Sequence, residues 1–250
     1  MKSLEGRVAL ITGSGSGIGR AAAIYLAACG AAVMVHDISS EGACETARLI
    51  EAPGGEASVW VADVADVAAM RTVVADGEVK HGHIDILVNN AGIVSEFRPL
   101  EEVTESMFDR AIAVHVRGTL FTTQAVVPGM KRRRYGKIIN VSSIQGIVGA
   151  PNGATYNAAK GAVLALAKGW AKEFAPFNIT VNVLAPGPIM TPMVLNKLPP
   201  EYFPERAKQI PLGRWGTAEE MAHVLGFLCG PEADFMTGQV VSPNGGIVIT

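Results

Sequence analysis

Short apolar runs punctuate the chain and alternate with longer amphipathic or alanine-rich stretches. The runs are VALIT at 8–12, AVMVH at 32–36, VWVAD at 59–63, ILVNN at 86–90, KIINVSS at 137–143 and ITVNVLAPG at 179–187, and QVVSPNGG opens a last strand near 239. Strands that are apolar on nearly every position suit burial on both faces, the mark of a parallel sheet covered by helices. The stretches between them predict helices over about 18–29, 41–52, 66–80, 104–130, 153–175 and 217–229. No repeat, low-complexity tract or linker interrupts the alternation. The pattern therefore predicts one α/β domain over residues 1–250, an open, doubly wound parallel sheet flanked by helices on both faces.

Ligands in such sheets lie at the carboxyl ends of the strands, and the chain's candidate chemistry falls there. TGSGSGIG at 12–19 follows the first strand and opens a helix. Glycines there allow a sharp turn and close backbone approach to a pyrophosphate, whose charge the helix amino terminus favours. Gly13, Ser16, Gly17, Ile18 and Gly19 are the loop positions assigned to the cofactor. Asp37 ends the second strand about 20 residues further on, where a carboxylate accepts both ribose hydroxyls of NAD and repels the 2′-phosphate of NADP. Ser14 and Ser16 offer no cation in the loop to offset that repulsion. These features predict a dinucleotide-binding domain of the Rossmann kind, with NAD as its cofactor. His36, beside the acid, reads as exposed or locally satisfied.

Composition narrows the picture. With 49% hydrophobic and 18% charged residues, the 250-residue chain can bury a large core. Lys and Arg number 21 against 23 Asp and Glu. That balance gives no field for attracting nucleic acid or an anionic membrane. The basic cluster Lys131 to Arg134 reads as a helix carboxyl terminus, where cations meet unpaired carbonyls. Cys29, Cys44 and Cys229 are odd in number and widely spaced, which suits reduced thiols and predicts no metal site. His81, His83 and His223 lack partners at ligand spacing. MKSLEG runs directly into the first strand without a leader-like apolar region, and no run reaches the length of a membrane span. The expectation is a cytoplasmic protein.

Tyr156 and Lys160 are four residues apart in ATYNAAKGA and share a face if the segment is helical. Ser143 stands thirteen residues before Tyr156. With the TGxxxGxG loop, Asp63 and Val64 after the third strand, NNAG at 89–92 and PGPIMT at 186–191, the chain resembles the short-chain dehydrogenase/reductases of the single-domain type. The resemblance covers essentially the whole sequence, with the motifs in order and at spacing. It implies that Asp63 and Val64 contact the adenine, Asn90 the adenosine ribose side, and Ile189 and Thr191 the nicotinamide carboxamide. It also implies a homotetramer built on the alanine-rich helix at 153–175, the long helix before it and the last strand.

In this reading Tyr156 is general acid for ketone reduction and general base for alcohol oxidation. Bringing a phenol from pKa 10 to near 7 takes about 4 kcal/mol. An ammonium at about 4 Å supplies that order at an effective dielectric near 20, and oxidised nicotinamide adds to it. Lys160 would also bond the nicotinamide ribose, and Ser143 would share the substrate oxygen with Tyr156. Ser142 is the weaker candidate. His115 stands where the family usually has an asparagine that orders a proton path to the lysine, and is expected to preserve that relay and to add a group titrating near neutral pH. Asn244 replaces a common aspartate, with a local effect only.

The segment from 190 to 211, rich in proline and apolar residues, reads as a substrate lid. With Ile144, Ile147, Val148 and Phe97 it predicts an apolar pocket, and Gln145 is its polar specificity candidate. The predicted substrate is a hydrophobic secondary alcohol or ketone. A 3-oxoacyl carrier-protein reductase is the alternative: Arg132 to Arg134 favour it, while Asp37 and Phe177 disfavour it. A non-catalytic NAD-sensing or scaffold protein is the third reading, opposed by the intact Ser143, Tyr156 and Lys160.

Overall fold

The computed structural model describes residues 3–94 and 97–249. From β1 (Val8–Thr12) the chain passes to α1 (Gly17–Ala28), β2 (Ala32–Asp37), α2 (Ser40–Glu51), β3 (Glu56–Val61), α3 (Val67–His81) and β4 (Ile86–Asn89). The next elements are α4 (Glu105–Ile112), a π-helical stretch Ala113–Arg117, α5 (Gly118–Arg133), β5 (Gly136–Val141), α6 (Ile144–Val148), α7 (Ala154–Phe174) and β6 (Ile179–Leu184). The remainder holds β7 (Ile189–Met190), α8 (Pro192–Leu195), α9 (Tyr202–Ala207), β8 (Gly216–Thr217), α10 (Ala218–Cys229) and β9 (Val240–Val241).

Seven strands form one sheet in the order β3-β2-β1-β4-β5-β6-β9, all pairs parallel. The order reverses between β1 and β4, and a crevice opens there beyond the strands' carboxyl ends. Successive β1 residues divide between two cores, as the two-residue period of a strand requires. Ala9 and Ile11 pack with Leu26, Ile50, Met221 and Leu225 from α1, α2 and α10. Val8 and Leu10 pack with Met70, Val74, Val126 and Leu164 from α3, α5 and α7. Helices therefore cover both faces, which is why the central strands are mostly apolar, with Asn89, Lys137, Asn140 and Asn182 as buried polar exceptions. Among the described residues no helix is long and apolar enough to cross a membrane.

Three features depart from the pattern. β3 begins at Glu56 rather than 59, and as the edge strand it leaves Val59 and Val61 37% and 50% exposed. Its apolar positions are those of a one-neighbour edge, not of a strand buried on both faces. The helix expected over 104–130 is divided, because the π-helical stretch inserts a wider turn around His115 before α5. α5 then runs to Arg133, so Lys131 to Arg133 fill its last turn and Arg134 caps it at φ 53°. Last, His36 is neither exposed nor satisfied: it is 1% exposed and neither ring nitrogen has a hydrogen-bond partner among the described residues. Burial pushes its pKa down to about 4 against the pull of Asp37, so the ring is neutral.

Candidate active site

The glycine loop turns at Gly13 (φ 65°) and Gly17 (φ 54°), a backbone region open to glycine. A methyl on Gly13 would stand 2.7 Å from the Ala91 Cα, and one on Gly19 would overlap the Gly13 carbonyl oxygen and lie 2.5 Å from Asn90 Nδ2. Backbone cannot yield cheaply at such contacts. Gly19→Ala is therefore expected to destabilise the fold by about 3 kcal/mol and to lower Tm by roughly 6–12 °C, measured by thermal unfolding. Ser16 begins α1 without capping it, whereas Ser39, Asp66, Thr104 and Thr217 cap α2, α3, α4 and α10 with their side chains. The first-turn amides of α1 are thus left for an outside acceptor.

Asp37 meets this loop directly. Its Oδ2 accepts the Gly15 N–H at 2.8 Å and its Oδ1 the Ser39 N–H at 2.9 Å. The loop's own residues carry no cation, but one stands beside it. Arg20, one turn into α1, donates to the Gly15 carbonyl and, through Nε, to Thr46 Oγ1 at 3.0 Å. Its position in the helix hid this in the sequence. Asp63 lies past β3, accepting the Ala65 N–H at 2.9 Å and facing Arg110 Nη1 of α4 at 3.0 Å. Partial burial opposes its ionisation, but the Ala65 N–H and Arg110 outweigh it and keep the carboxyl below its ordinary range.

Val64 points into the core at 7% exposure, so only its main chain is available to a ligand. Asn90 has a job the motif did not announce. Its Nδ2 donates to the Thr12 and Gly13 carbonyls at 2.9 and 3.0 Å, and its own N–H donates to Thr12 Oγ1. It fastens the glycine loop to β4. Ile189 is buried in β7, and Thr191 lies over Gly17, its Cγ2 3.6 Å from where a Cβ would stand.

On the other side of the crevice, α7 carries Tyr156 and Lys160 on one face, with Nζ 5.6 Å from the centre of the tyrosine ring. Lys160 is buried and donates to the Val141 carbonyl at 2.9 Å, and desolvation lowers its pKa to about 8. Ser143 stands two residues past β5 and caps α6, accepting the Gln145 N–H at 3.2 Å, and also reaches the Tyr156 hydroxyl. Ser142 is spent elsewhere, donating to the Lys160 carbonyl at 2.8 Å. The expected lowering of the tyrosine pKa is not found. Desolvation pushes the phenol up to about 12, and Ser143, rather than Lys160, pulls it back.

His115 sits in the π-helical stretch, edge-on to the Tyr156 ring with centroids 5.5 Å apart. Its Nε2 lies 3.0 Å from the Ile93 carbonyl and 3.4 Å from the Ile93 amide nitrogen; the shorter contact is that of an Nε2–H donor, and Nδ1 is then a buried lone pair with no partner among the described residues. Gly92 makes room for it: a methyl there would be 2.8 Å from Cε1. The expected titration near neutrality is overturned, since burial and then Lys160 push its pKa down to about 3.

Gln145 follows Ser143, and its Oε1 is buried without a partner. The segment 190–211 is tied down by Trp215, a residue the sequence pattern did not single out. Its Nε1 donates to the Phe203 carbonyl at 3.0 Å and its ring packs 5.3 Å from that of Phe203. A cavity of about 280 Å3 beside β7 is lined by Ile189, Ile210, Leu212, Met221 and Val224, and by none of Ser143, Tyr156 or Lys160.

The glycine cradle, the uncapped amides of α1 and the strand-end acids fit a dinucleotide, and a proton-handling cluster stands across the same crevice. A profile described as enoyl-(acyl carrier protein) reductase matches residues 13–248. The chain is 44% identical to 3-oxoacyl-[acyl-carrier-protein] reductase FabG of Thermotoga maritima, covering 98% of this chain and 99% of that one. It is 39% identical to gluconate 5-dehydrogenase of Gluconobacter oxydans, over 99% and 97% of the two chains. The crystal structure of levodione reductase superposes with a TM-score of 0.94 at 36% identity, over 97% of this chain and 98% of that one. The chain belongs to the short-chain dehydrogenase/reductase family. It is an oxidoreductase acting on CH–OH groups, in a family that uses nicotinamide cofactors.

Proposed function

We propose that the protein is an NAD(H)-dependent oxidoreductase interconverting a hydrophobic secondary alcohol and its ketone, with Tyr156 as the proton-transfer group. The observation that carries the reading is the convergence of Ser143, Tyr156 and Lys160 at the crevice whose far side is the glycine loop and Asp37. The loop residues Gly13, Ser16, Gly17, Ile18 and Gly19, with Asp37, Asp63, Val64, Asn90, Ile189 and Thr191, would hold the dinucleotide. Bound there, the nicotinamide supplies or takes up hydride and, when oxidised, brings a positive charge.

The residues of the chain do the rest. A phenol that burial keeps protonated is suited to give its proton to a developing alkoxide, so reduction needs no prior ionisation of Tyr156. Ser143 Oγ–H donates to the same oxygen and fixes its direction. Lys160 spends one N–H on the Val141 carbonyl and keeps two for the ribose, and a pKa near 8 lets it return a proton to the tyrosine. The 190–211 segment acts as lid over an apolar pocket, with Gln145 as its polar contact. The small residues Ala158, Ala165 and Gly169 left exposed along α7 support assembly through that helix into a homotetramer. A screen of ketones and alcohols by cofactor absorbance, with NAD and NADP, tests the reading. Turnover of hydrophobic ketones with NADH supports it, and activity confined to polyols or to NADP overturns it.

The similarity to FabG favours a second reading, reduction of 3-oxoacyl thioesters. Most of the basic cluster that would receive an acidic carrier is, however, engaged within the chain, while Arg132 stays 70% exposed with Glu78 3.9 Å away. Lys131 faces Glu173 and the rings of Phe174 and Phe177, Arg133 donates to the Ile84 carbonyl, and Arg134 donates to that of Pro176. Acyl-thioester turnover exceeding that of simple ketones would favour the second reading.

His115 is assigned a neutral, positioning role. His115→Asn is expected to leave the shape of the activity profile unchanged from about pH 6 to 9, because a group with a pKa near 3 does not titrate there. Its folded pKa is depressed, so it favours the fold above its unfolded value and opposes it as pH falls below about 6.5. The variant's acid-unfolding midpoint should therefore move to lower pH, read by circular dichroism.

A further inference from the structure

The cavity of about 280 Å3 that borders β7 takes no part in the chemistry described so far, and its walls are fixed by the fold. β7 and β8 pair Ile189 with Gly216, and the Gly216 N–H donates to the Pro188 carbonyl at 3.0 Å. The strap at 210–212 is fastened by the Leu212 N–H to the Gly245 carbonyl at 3.1 Å, and a methyl on Gly245 would stand 2.5 Å from Ile210 Cγ2. The polar side chains of the lining are engaged within the chain. Arg214 and Glu220 bond each other twice, at 2.9 and 2.6 Å, and Glu220 also accepts the Thr217 N–H. Asn244 donates to the Ser242 and Val248 carbonyls and accepts the Gly246 and Val248 N–H groups. What the cavity offers a ligand is the hydrocarbon of Ile189, Ile210, Leu212, Met221 and Val224.

We propose that this cavity is a second ligand site, which takes an uncharged cyclic hydrocarbon-like compound and, when occupied, tightens dinucleotide binding through Ile189. An apolar cavity of about 150 Å3 accommodates benzene, so this one suits a ring compound of up to about ten carbons. A carboxylate or ammonium would shed its hydration and meet no free counter-charge, and the hydroxyls of a sugar would go unpaired. The second half of the proposal rests on the reading of the crevice as an NAD site. Ile189 is buried, and Gly216 lies so close beneath it that a methyl there would stand 2.6 Å from its Cδ1. One side chain therefore borders both the cavity and the strand assigned to the carboxamide. Contacts added behind it favour the ordered β7, and by linkage a bound dinucleotide favours the occupant in return.

Crystals of the full-length protein soaked with bromobenzene locate the halogen by anomalous scattering, and ligand-observed NMR reads toluene binding in solution. NADH titration by nicotinamide fluorescence, with and without saturating toluene, reads the coupling. Bromine should lie among Ile210, Met221 and Val224, and toluene should tighten NADH by at least about threefold. Leu212 is 69% exposed, so Leu212→Asp spares the fold. Its charge at the mouth should weaken toluene by at least about tenfold and abolish the shift. Bromine beside Tyr156 alone, or nowhere, overturns the site. Bromine in the cavity without toluene binding in solution is binding at crystal concentration only, and overturns it too. An NADH affinity that toluene leaves unmoved, or moves equally in Leu212→Asp, overturns the coupling. Failure to bind NADH with bromine in the cavity overturns the NAD reading and the coupling, and leaves the site standing.

Discussion

Tyr156→Phe is expected to lower kcat by at least about a thousandfold while changing NADH affinity by less than about threefold. The ring's packing against His115 and Lys160 is kept, because the contacts are edge-on to the aromatic face and beneath it rather than to the hydroxyl. Only the proton and the Ser143 contact are lost. General acid–base catalysis is commonly worth about 10²–10⁴, and here no other proton donor of suitable pKa faces the same oxygen, Ser142 being spent on the Lys160 carbonyl and His115 holding its proton against Ile93. Parallel measurement of turnover and of fluorescence-detected NADH binding decides it. A variant that retains a tenth of the activity would remove Tyr156 from the reaction, and one that loses cofactor as well would show that the phenol holds the site together.

The high phenol pKa also makes an asymmetry legible. Reduction uses the protonated tyrosine directly, whereas oxidation requires a phenolate that the chain by itself disfavours. The charge of an oxidised nicotinamide acts in the required direction.

The central strands were readable because both of their faces are buried, so that β1, β4, β5 and β6 are dominated by apolar residues, interrupted only by a few buried polar ones such as Asn140 and Asn182. β3 was misplaced by three residues because an edge strand obeys a weaker rule, and there a run such as VWVAD fixes neither end. The glycine loop, Asp37 and the Tyr156–Lys160 spacing are local in sequence; their geometry made them candidates, and the family resemblance of the motifs in order gave them roles. Contacts between elements were not readable in that way. Arg110 with Asp63 spans 47 positions, Ser142 with the Lys160 carbonyl 18, and Trp215 with the Phe203 carbonyl 12. Each depends on how two elements approach. The π-helical turn left no mark in the hydrophobic period either, because a single wider turn shifts the pattern by less than its own irregularity. The pKa values of Tyr156 and His115 followed from burial, which a pairwise reading of charges does not contain.

On the proposed NAD(H) reading, Asp37→Asn is expected to reduce a preference for NADH over NADPH of about a hundredfold to within about fivefold. The carboxylate is held against the loop by the Gly15 and Ser39 amides, so it cannot swing away from a 2′-phosphate. Two like charges about 4 Å apart cost up to about 4 kcal/mol at an effective dielectric near 20, and partial exposure of Asp37 reduces that to about 3 kcal/mol, which is roughly a hundredfold. Asparagine keeps an acceptor for the Gly15 N–H and removes the charge. What then remains is Arg20, whose guanidinium lies behind the Gly15 carbonyl and favours an added phosphate. The gain in NADPH affinity should accordingly shrink as salt rises, and Arg20→Ala in the Asp37→Asn background should give part of it back. Affinities for the two reduced cofactors, measured by fluorescence at low and at high ionic strength, separate these contributions. A preference that survives Asp37→Asn would place the discrimination in loop shape rather than in charge.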